Sequence, residues 1–199
     1  MSEIRDVTRR EFLGTTASAG AVFAAGVPHM AGNLEGTSAP QKDETVLYVG
    51  YGSNLNVEYT LADLLPNGRY VMKAYIPNYE VQFRRWSNNS RGGISSIVEV
   101  PGEIVEAAMY ECPLADLHTL DYRLDYYVPD YKREVFRVLG ADGKWHQASL
   151  YRLWELEGPF PPARAYVEGM LEGARQLELS PEYIEKIEGF LENSIVAPD

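Results

Sequence analysis

The most informative stretch of the sequence is Val46-Leu47-Tyr48-Val49-Gly50-Tyr51-Gly52-Ser53-Asn54-Leu55. Its first four residues form a short apolar run, which predicts a buried β-strand. Two glycines then flank a tyrosine, and a small polar pair follows. Glycine lets a backbone approach a ligand closely, so its N–H groups could hold a carboxylate or stabilise an oxyanion without a charged side chain. Because glycine turns after strands are common, the loop alone is equally compatible with a simple tight turn.

The chain after this loop reads as strands grouped in hairpins, with helices between and after them. Helical patterns cover residues 57–65 and 113–124, and extended stretches cover residues 69–76 and 79–85. Two hairpins are predicted, one joining 94–100 to 104–111 at Pro101-Gly102-Glu103 and one joining 131–139 to 144–154. Two helices close the chain, the second capped by Ser180 and opened by Pro181. This order predicts an α+β fold with a mostly antiparallel sheet or barrel.

A series of short motifs, which we call landmarks, resembles the motifs of a known family. The landmarks are Tyr51-Gly52-Ser53-Asn54-Leu55, Gly92 to Ile97, Pro101 to Val105, Leu117 to Asp121, Tyr131, Ala148 to Tyr151, Pro162 to Tyr166, Gly173 to Arg175 and Pro181 to Tyr183. They run in order from about residue 46 to 192, and together they resemble the γ-glutamylcyclotransferase family over the whole domain. The resemblance implies a small, mostly antiparallel β-barrel with flanking and C-terminal helices.

The resemblance also implies a reaction that needs no cofactor, of an acyltransferase or lyase type. The α-amine of a γ-glutamyl group attacks its own γ-carbonyl, giving 5-oxoproline and a free amine or amino acid. Much of the catalysis would lie in folding the substrate so that these two groups meet. By position, Tyr51, Gly52, Ser53, Asn54 and Leu55 would bind the γ-glutamyl portion. Two further tyrosines would complete the site, Tyr166 in contact with substrate and Tyr131 along its lining.

The sequence departs from the family at the proton carrier. The family has a glutamate in the pattern Leu-Asp-x-x-Glu-Gly, whereas this chain reads Leu120-Asp121-Tyr122-Arg123-Leu124-Asp125. Leucine cannot transfer a proton, so three hypotheses stay open. Asp125 could serve one position along, the domain could be a non-catalytic binding protein, or the scaffold could carry a different activity. Asp121, near the end of its helix, is expected to hold the backbone of the following loop.

The first 44 residues are interpreted as an export signal followed by a linker. The segment Thr8-Arg9-Arg10-Glu11-Phe12-Leu13 precedes a weakly apolar Ala/Gly-rich stretch, which indicates a twin-arginine export signal over residues 1–31. Residues 32–44 are polar and linker-like, and the domain is expected over 45–199. We therefore expect export to the periplasm or the cell exterior, without a stable membrane anchor.

Composition narrows the partners. The net charge of −11 argues against nucleic acid and anionic membrane as partners. The family resemblance implies a small-molecule γ-glutamyl substrate or ligand. An anionic ligand would then need local compensation from backbone N–H groups or an arginine. Cys112, the only cysteine, excludes an intrachain disulfide and is expected to be buried. The three histidines have no metal-ligand spacing. No pattern in the sequence indicates an oligomeric state.

Overall fold

The computed structural model describes residues 44–127 and 129–196, with only the backbone described for residues 125–127. The predicted export signal, and all of the predicted linker except Glu44, lie outside the described residues. Export therefore stays a prediction.

Five strands form a closed barrel. They are β1 (Thr45–Gly50), β2 (Arg69–Ser87), β3 (Gly92–Pro113), β4 (Tyr131–Gly140) and β5 (Trp145–Leu153). Their order around the barrel is β1-β3-β2-β4-β5. All neighbours pair antiparallel except β1 and β5, which close the barrel through a parallel contact between Tyr48 and Ser149. The predicted α+β fold with a small, mostly antiparallel barrel is confirmed.

The predicted hairpin between residues 94–100 and 104–111 is wrong. Both stretches belong to β3 and pair with the equally continuous β2, to which β3 is joined by a turn at residues 88–91. Pairing of Pro77 with Ile104 and of Tyr79 with Glu99 leaves only Asn78 opposite residues 100–103. The Gly102 N–H donates to Asn78 Oδ1 at 3.0 Å, and both residues have positive φ. The turn-type residues therefore form an irregular bulge of four residues opposite one in a long two-stranded ribbon. They do not reverse the chain.

The second predicted hairpin is confirmed as β4 and β5, paired from Tyr131 opposite Leu153 to Leu139 opposite Trp145. The turn between them uses Gly143 at a positive φ. A positive φ is cheap only for glycine, which explains why this turn could be read from the sequence.

Within the described ranges, four α-helices flank the barrel. They are α1 (Val57–Tyr59), continued by a π-helical turn over Thr60–Leu64, α2 (Leu114–Tyr127), α3 (Arg164–Gln176) and α4 (Pro181–Gly189). The predicted cap of α4 is confirmed, because the Ser180 side chain accepts the Tyr183 N–H and Pro181 occupies the first turn. No helix in the described ranges is long and apolar enough to cross a membrane.

The core fills the barrel and the seams beneath α2, α3 and α4. It includes Leu55, Met109, Leu117, Leu150 and Met170, each less than 2% exposed. Cys112 is buried as expected, and burial raises the pKa of its thiol to about 12. Such a thiol stays protonated and behaves as a small apolar side chain.

Candidate active site

The loop that follows β1 is held in place by hydrogen bonds to its backbone carbonyl groups. Ser53–Leu55 form a 3-10 turn, in which the Leu55 N–H donates to the Gly52 carbonyl at 3.1 Å. The Asn54 carbonyl accepts the hydroxyls of Tyr110 at 2.7 Å and Thr60 at 3.2 Å. These contacts fix the loop's backbone, so its upper surface is preorganised before any ligand arrives.

Gly52 allows two hydroxyls to touch the loop. A Cβ at this position would lie 2.4 Å from Ser95 Oγ and 2.6 Å from the Tyr166 hydroxyl oxygen, which is far too close. The same two hydroxyls are hydrogen bonded to each other at 2.8 Å, and the Ser53 N–H points to the Tyr166 hydroxyl at 3.4 Å. The glycine therefore has a steric role, which brings β3 and α3 against the loop.

Gly173 has the matching role in α3. A Cβ there would lie 2.3 Å from the backbone N of Asn56 and the backbone C of Leu55. The helix thus packs backbone to backbone on the loop, and this contact sets the position of Tyr166 two turns earlier in the same helix.

The loop opens into a cavity of about 180 Å³. This volume suits a ligand of amino-acid size and is below the range of about 300–1,000 Å³ typical of drug-sized pockets. The lining residues are Tyr48, Tyr51, Gly52, Ser53, Asn54, Tyr59, Leu64, Ile94, Ser95, Leu120, Leu124, Tyr131, Tyr151 and Tyr166. Of the binding residues predicted from the sequence, all line the cavity except Leu55, which is fully buried beneath it. Their role in binding stays a prediction.

Four buried tyrosines of the cavity, Tyr48, Tyr51, Tyr131 and Tyr151, are neutral hydrogen-bonding groups. Burial raises the pKa of Tyr48, Tyr51 and Tyr131 well above the ordinary value of a phenol. Burial also raises the pKa of Tyr151, helped by its hydrogen bond to a carboxylate. Because a phenol with a raised pKa keeps its proton at neutral pH, these side chains contribute no negative charge to the site.

Several of these hydroxyls are committed to the protein frame. Tyr51 donates to the Tyr151 carbonyl, and Tyr131 donates to the Ser95 carbonyl. The Asn54 side-chain amide donates to the Tyr48 hydroxyl. The tyrosine rings are thus held in fixed positions around the loop, as a preorganised site requires.

Position 124 carries an aliphatic side chain that lines the cavity. The side chain of Asp125, the predicted proton carrier, lies outside the described residues. Asp121 stands three residues before Leu124 in α2, on the same side of the helix. Its described contacts are with side chains rather than with the loop backbone expected from the sequence. The carboxylate accepts the Tyr151 hydroxyl at 2.7 Å and pairs with Arg133 at 3.0 Å, so it ties α2 to β5 and β4.

Sequence reasoning missed part of the lining. Ser95 and Tyr151 lie within stretches used as family landmarks, but neither was singled out as a site residue. Tyr48 alternates inward on β1 next to the loop, and this periodicity could have identified it. Leu64 and Leu120 come from two helices whose contact the sequence does not reveal.

A larger groove lies elsewhere, between β2, the Pro159–Pro162 segment and α4, with a volume of about 770 Å³. Its floor is formed mostly by proline, aliphatic and aromatic side chains, such as Phe83 and Phe190. Of its three charged lining residues, Lys186 and Glu103 are paired with each other, and Glu80 is the third. We favour the smaller cavity because hydroxyls, backbone N–H groups and neutral tyrosines converge there. Within the described residues, no cluster of His, Cys, Asp and Glu side chains could hold a metal ion.

Comparison with known proteins agrees with this geometry. No family model matches the chain. The chain is 26% identical over 159 residues to the γ-glutamylcyclotransferase of Mus musculus, covering 78% of this chain and 84% of the relative. It is also 26% identical over 155 residues to the Homo sapiens protein of that name, covering 76% and 81%. A solved γ-glutamyl cyclotransferase structure superposes with a TM-score of 0.68 at 26% identity, covering 73% of this chain and 87% of the other. The chain therefore has a γ-glutamylcyclotransferase-like fold, and its relatives in sequence support the same family.

Proposed function

We infer that this domain acts on γ-glutamyl amides and cyclises the γ-glutamyl group to 5-oxoproline with release of an amine. The observation that carries this proposal is the cavity itself. The loop from Tyr51 to Asn54, Tyr131 and Tyr166 meet around a space of amino-acid size. The similarity to curated γ-glutamylcyclotransferases points to the same reaction class.

The reaction would proceed within one substrate molecule. The α-amine nitrogen forms a bond to the γ-carbonyl carbon, the bond from that carbon to the leaving nitrogen breaks, and one proton passes from the attacking nitrogen to the leaving nitrogen. No oxidant, reductant or second substrate is needed. Holding the amine against the carbonyl supplies the entropic part of the rate enhancement, and a tight cavity suits that task.

Charge on the substrate would be met by neutral donors. The Ser53 N–H and the Tyr166 and Ser95 hydroxyls lie together at the loop, where they would face a carboxylate or the developing oxyanion. Such donors compensate an anionic group locally in a protein of net charge −11.

Two carboxylates are candidates for the proton transfer. Asp125 was expected from the sequence to replace the missing glutamate. Asp121 is a second candidate, because its carboxylate is hydrogen bonded to Tyr151, a lining residue. A group that acts through the phenol of Tyr151 would be a positioning residue unless it touches substrate itself.

A second function is favoured by the residue at position 124. A leucine in the cavity cannot carry a proton, so the same geometry suits a protein that binds γ-glutamyl amides without converting them. Loss of a general base costs about 10²–10⁴-fold in rate, so proximity and the loop donors alone would leave slow turnover.

The test is 5-oxoproline release from γ-glutamyl amides by the purified protein and three variants. We expect slow but measurable release by the parent. A collapse in Asp125→Asn, with Asp121→Asn unaffected, identifies Asp125 as the proton carrier, and the reverse pattern identifies Asp121. A parent that binds but releases nothing, combined with release by Leu124→Glu, would contradict the enzyme and establish the binding protein.

We propose export through the twin-arginine route separately, on the segment Thr8-Arg9-Arg10-Glu11-Phe12-Leu13 and the weakly apolar stretch after it. Replacing both arginines by lysine should keep the protein in the cytoplasm of a host with that pathway. Undiminished export of the double variant would contradict the proposal.

A further inference from the structure

The helical side of the cavity differs in chemistry from the loop side. Leu64 comes from the π-helical turn after α1, whereas Leu120 and Leu124 come from α2. Tyr59 of α1 lines the cavity as well. We call Leu64, Leu120 and Leu124 the apolar wall.

The apolar wall is a fixed surface. The Arg123 guanidinium donates to the Asp63 carbonyl at 2.6 Å and to the Asp63 carboxylate at 3.2 Å, which joins α2 to the π-helical turn beside Leu64. At the other end, the Asp116 carboxylate accepts the backbone N–H and the side-chain amide of Asn67, both at 3.0 Å. Two polar links therefore connect α2 to the segment that follows α1. They hold Leu64, Leu120 and Leu124 at fixed positions relative to one another.

The wall offers no charge to a ligand. The described residues that line the cavity include no Asp, Glu, Lys, Arg or His, and the polar members are hydroxyls, an amide and phenols. The described charges on the helices beside it are paired, Arg123 with Asp63 and Asp121 with Arg133. An ammonium or carboxylate placed against these leucines would lose its hydration without gaining a partner, which is strongly unfavourable.

A γ-glutamyl amide has a polar end and a variable end. Its α-carboxylate and α-amine need hydrogen-bonding partners, and those partners are at the loop, at Ser53, Ser95 and Tyr166. With that end at the loop, the amide substituent would face the rest of the lining, which combines the apolar wall with the phenols of Tyr48, Tyr131 and Tyr151.

We propose that the site selects γ-glutamyl amides whose leaving amine carries an uncharged, apolar chain, and that Leu64, Leu120 and Leu124 determine this preference. The inference rests on the proposed function, because it assumes that the loop holds the γ-glutamyl group. It also assigns a role to Leu124, at the position where the family pattern has a glutamate, as part of the apolar wall.

The test uses three γ-glutamyl amides of matched length that differ only at the far end: the n-pentylamide, the putrescine amide and the γ-aminobutyrate amide. Their ends are a methyl group, an ammonium and a carboxylate. Calorimetric titration of the full chain should show the pentylamide binding at least about tenfold more tightly than either charged amide. Equal affinities, or a preference for a charged amide, would overturn the inference.

A variant pair sharpens the result. Leu64→Glu places a carboxylate on the apolar wall and should shift the preference toward the putrescine amide by about tenfold or more. Val135→Glu is the matched control, because Val135 is 68% exposed on β4 and does not line the cavity. It should leave the order of affinities unchanged. The comparison of the three amides on the parent chain decides the inference even if Leu64→Glu fails to fold.

Parallel measurement of 5-oxoproline separates the two proposals. Preference for the pentylamide without any release supports the inference and contradicts the proposed catalysis. Release with a preference for charged amides supports catalysis and overturns the inference. Binding of none of the three amides overturns both.

Discussion

The two sides of the cavity are built by different means. The loop side consists of a fixed backbone turn with hydroxyls pressed against it, and it depends on glycines that no other residue can replace without moving the frame. The helical side consists of leucines on two helices, joined by contacts outside the cavity. Chemistry on the loop side is therefore determined by backbone geometry, whereas chemistry on the helical side is determined by the identity of a few side chains.

This difference explains how position 124 can change without a change of fold. A side chain on a helix face can be exchanged between acid and leucine while the barrel and the loop keep their contacts. Substitutions on the loop side should therefore damage structure and binding together, and substitutions on the helical side should change selectivity or rate alone.

The largest effect is expected where α3 meets the loop. Gly173→Ala would place a methyl group about 2.3 Å from the backbone of Leu55 and Asn56. Because a backbone contact cannot yield as a side chain does, we expect a loss of about 1–3 kcal/mol in the free energy of unfolding. Urea denaturation measures this quantity.

Gly169→Ala is the control in the same helix, since nothing lies within 4 Å of a Cβ at that position. It should raise the free energy of unfolding by about 0.5–1 kcal/mol, because alanine favours the helix over glycine. Equal effects of the two substitutions would show that the close packing of α3 on the loop is wrong.

A smaller effect, confined to ligand binding, is expected at Gly52. A Cβ in Gly52→Ala would displace the Ser95 and Tyr166 hydroxyls from the loop. Side chains can move away more easily than backbone, so stability should change less than in Gly173→Ala. Affinity for γ-glutamyl amides should fall by roughly tenfold, the equivalent of one lost hydrogen bond to a charged group.

The matched control for Gly52→Ala is Gly189→Ala at the end of α4, where an added Cβ meets nothing within 4 Å. Calorimetric titration should give the parent affinity for this variant. If Gly52→Ala also binds with the parent affinity, the loop is a tight turn without a role in binding.

The sequence predicted most of the fold because its signals were local. The strand before Tyr51, the β4–β5 turn at Gly143 and the cap at Ser180 each depend on a few adjacent residues. The hairpin at Pro101-Gly102-Glu103 failed for the same reason. Its residues are typical of a turn, but their outcome depends on Asn78, 24 residues away in the partner strand.

The same distinction between local and long-range signals applies to the candidate site. The loop could be found from its motif, and Tyr131 and Tyr166 from their positions in the family pattern. The apolar wall could not be predicted, because Leu64 and Leu120 are far apart in sequence. They line the same cavity only when their two helical segments pack. The link between Asp121 and Tyr151 joins residues on different elements and leaves no local signal.

The most direct test of the two-sided cavity is a crystal structure of the protein with the γ-glutamyl n-pentylamide bound. We predict the α-carboxylate at the Ser53 N–H and the Tyr166 hydroxyl, with the pentyl chain in contact with Leu64, Leu120 and Leu124. A reversed ligand, with its charged end on the leucines, would contradict this arrangement. A ligand in the larger groove beside Phe83 and Phe190 would contradict it as well.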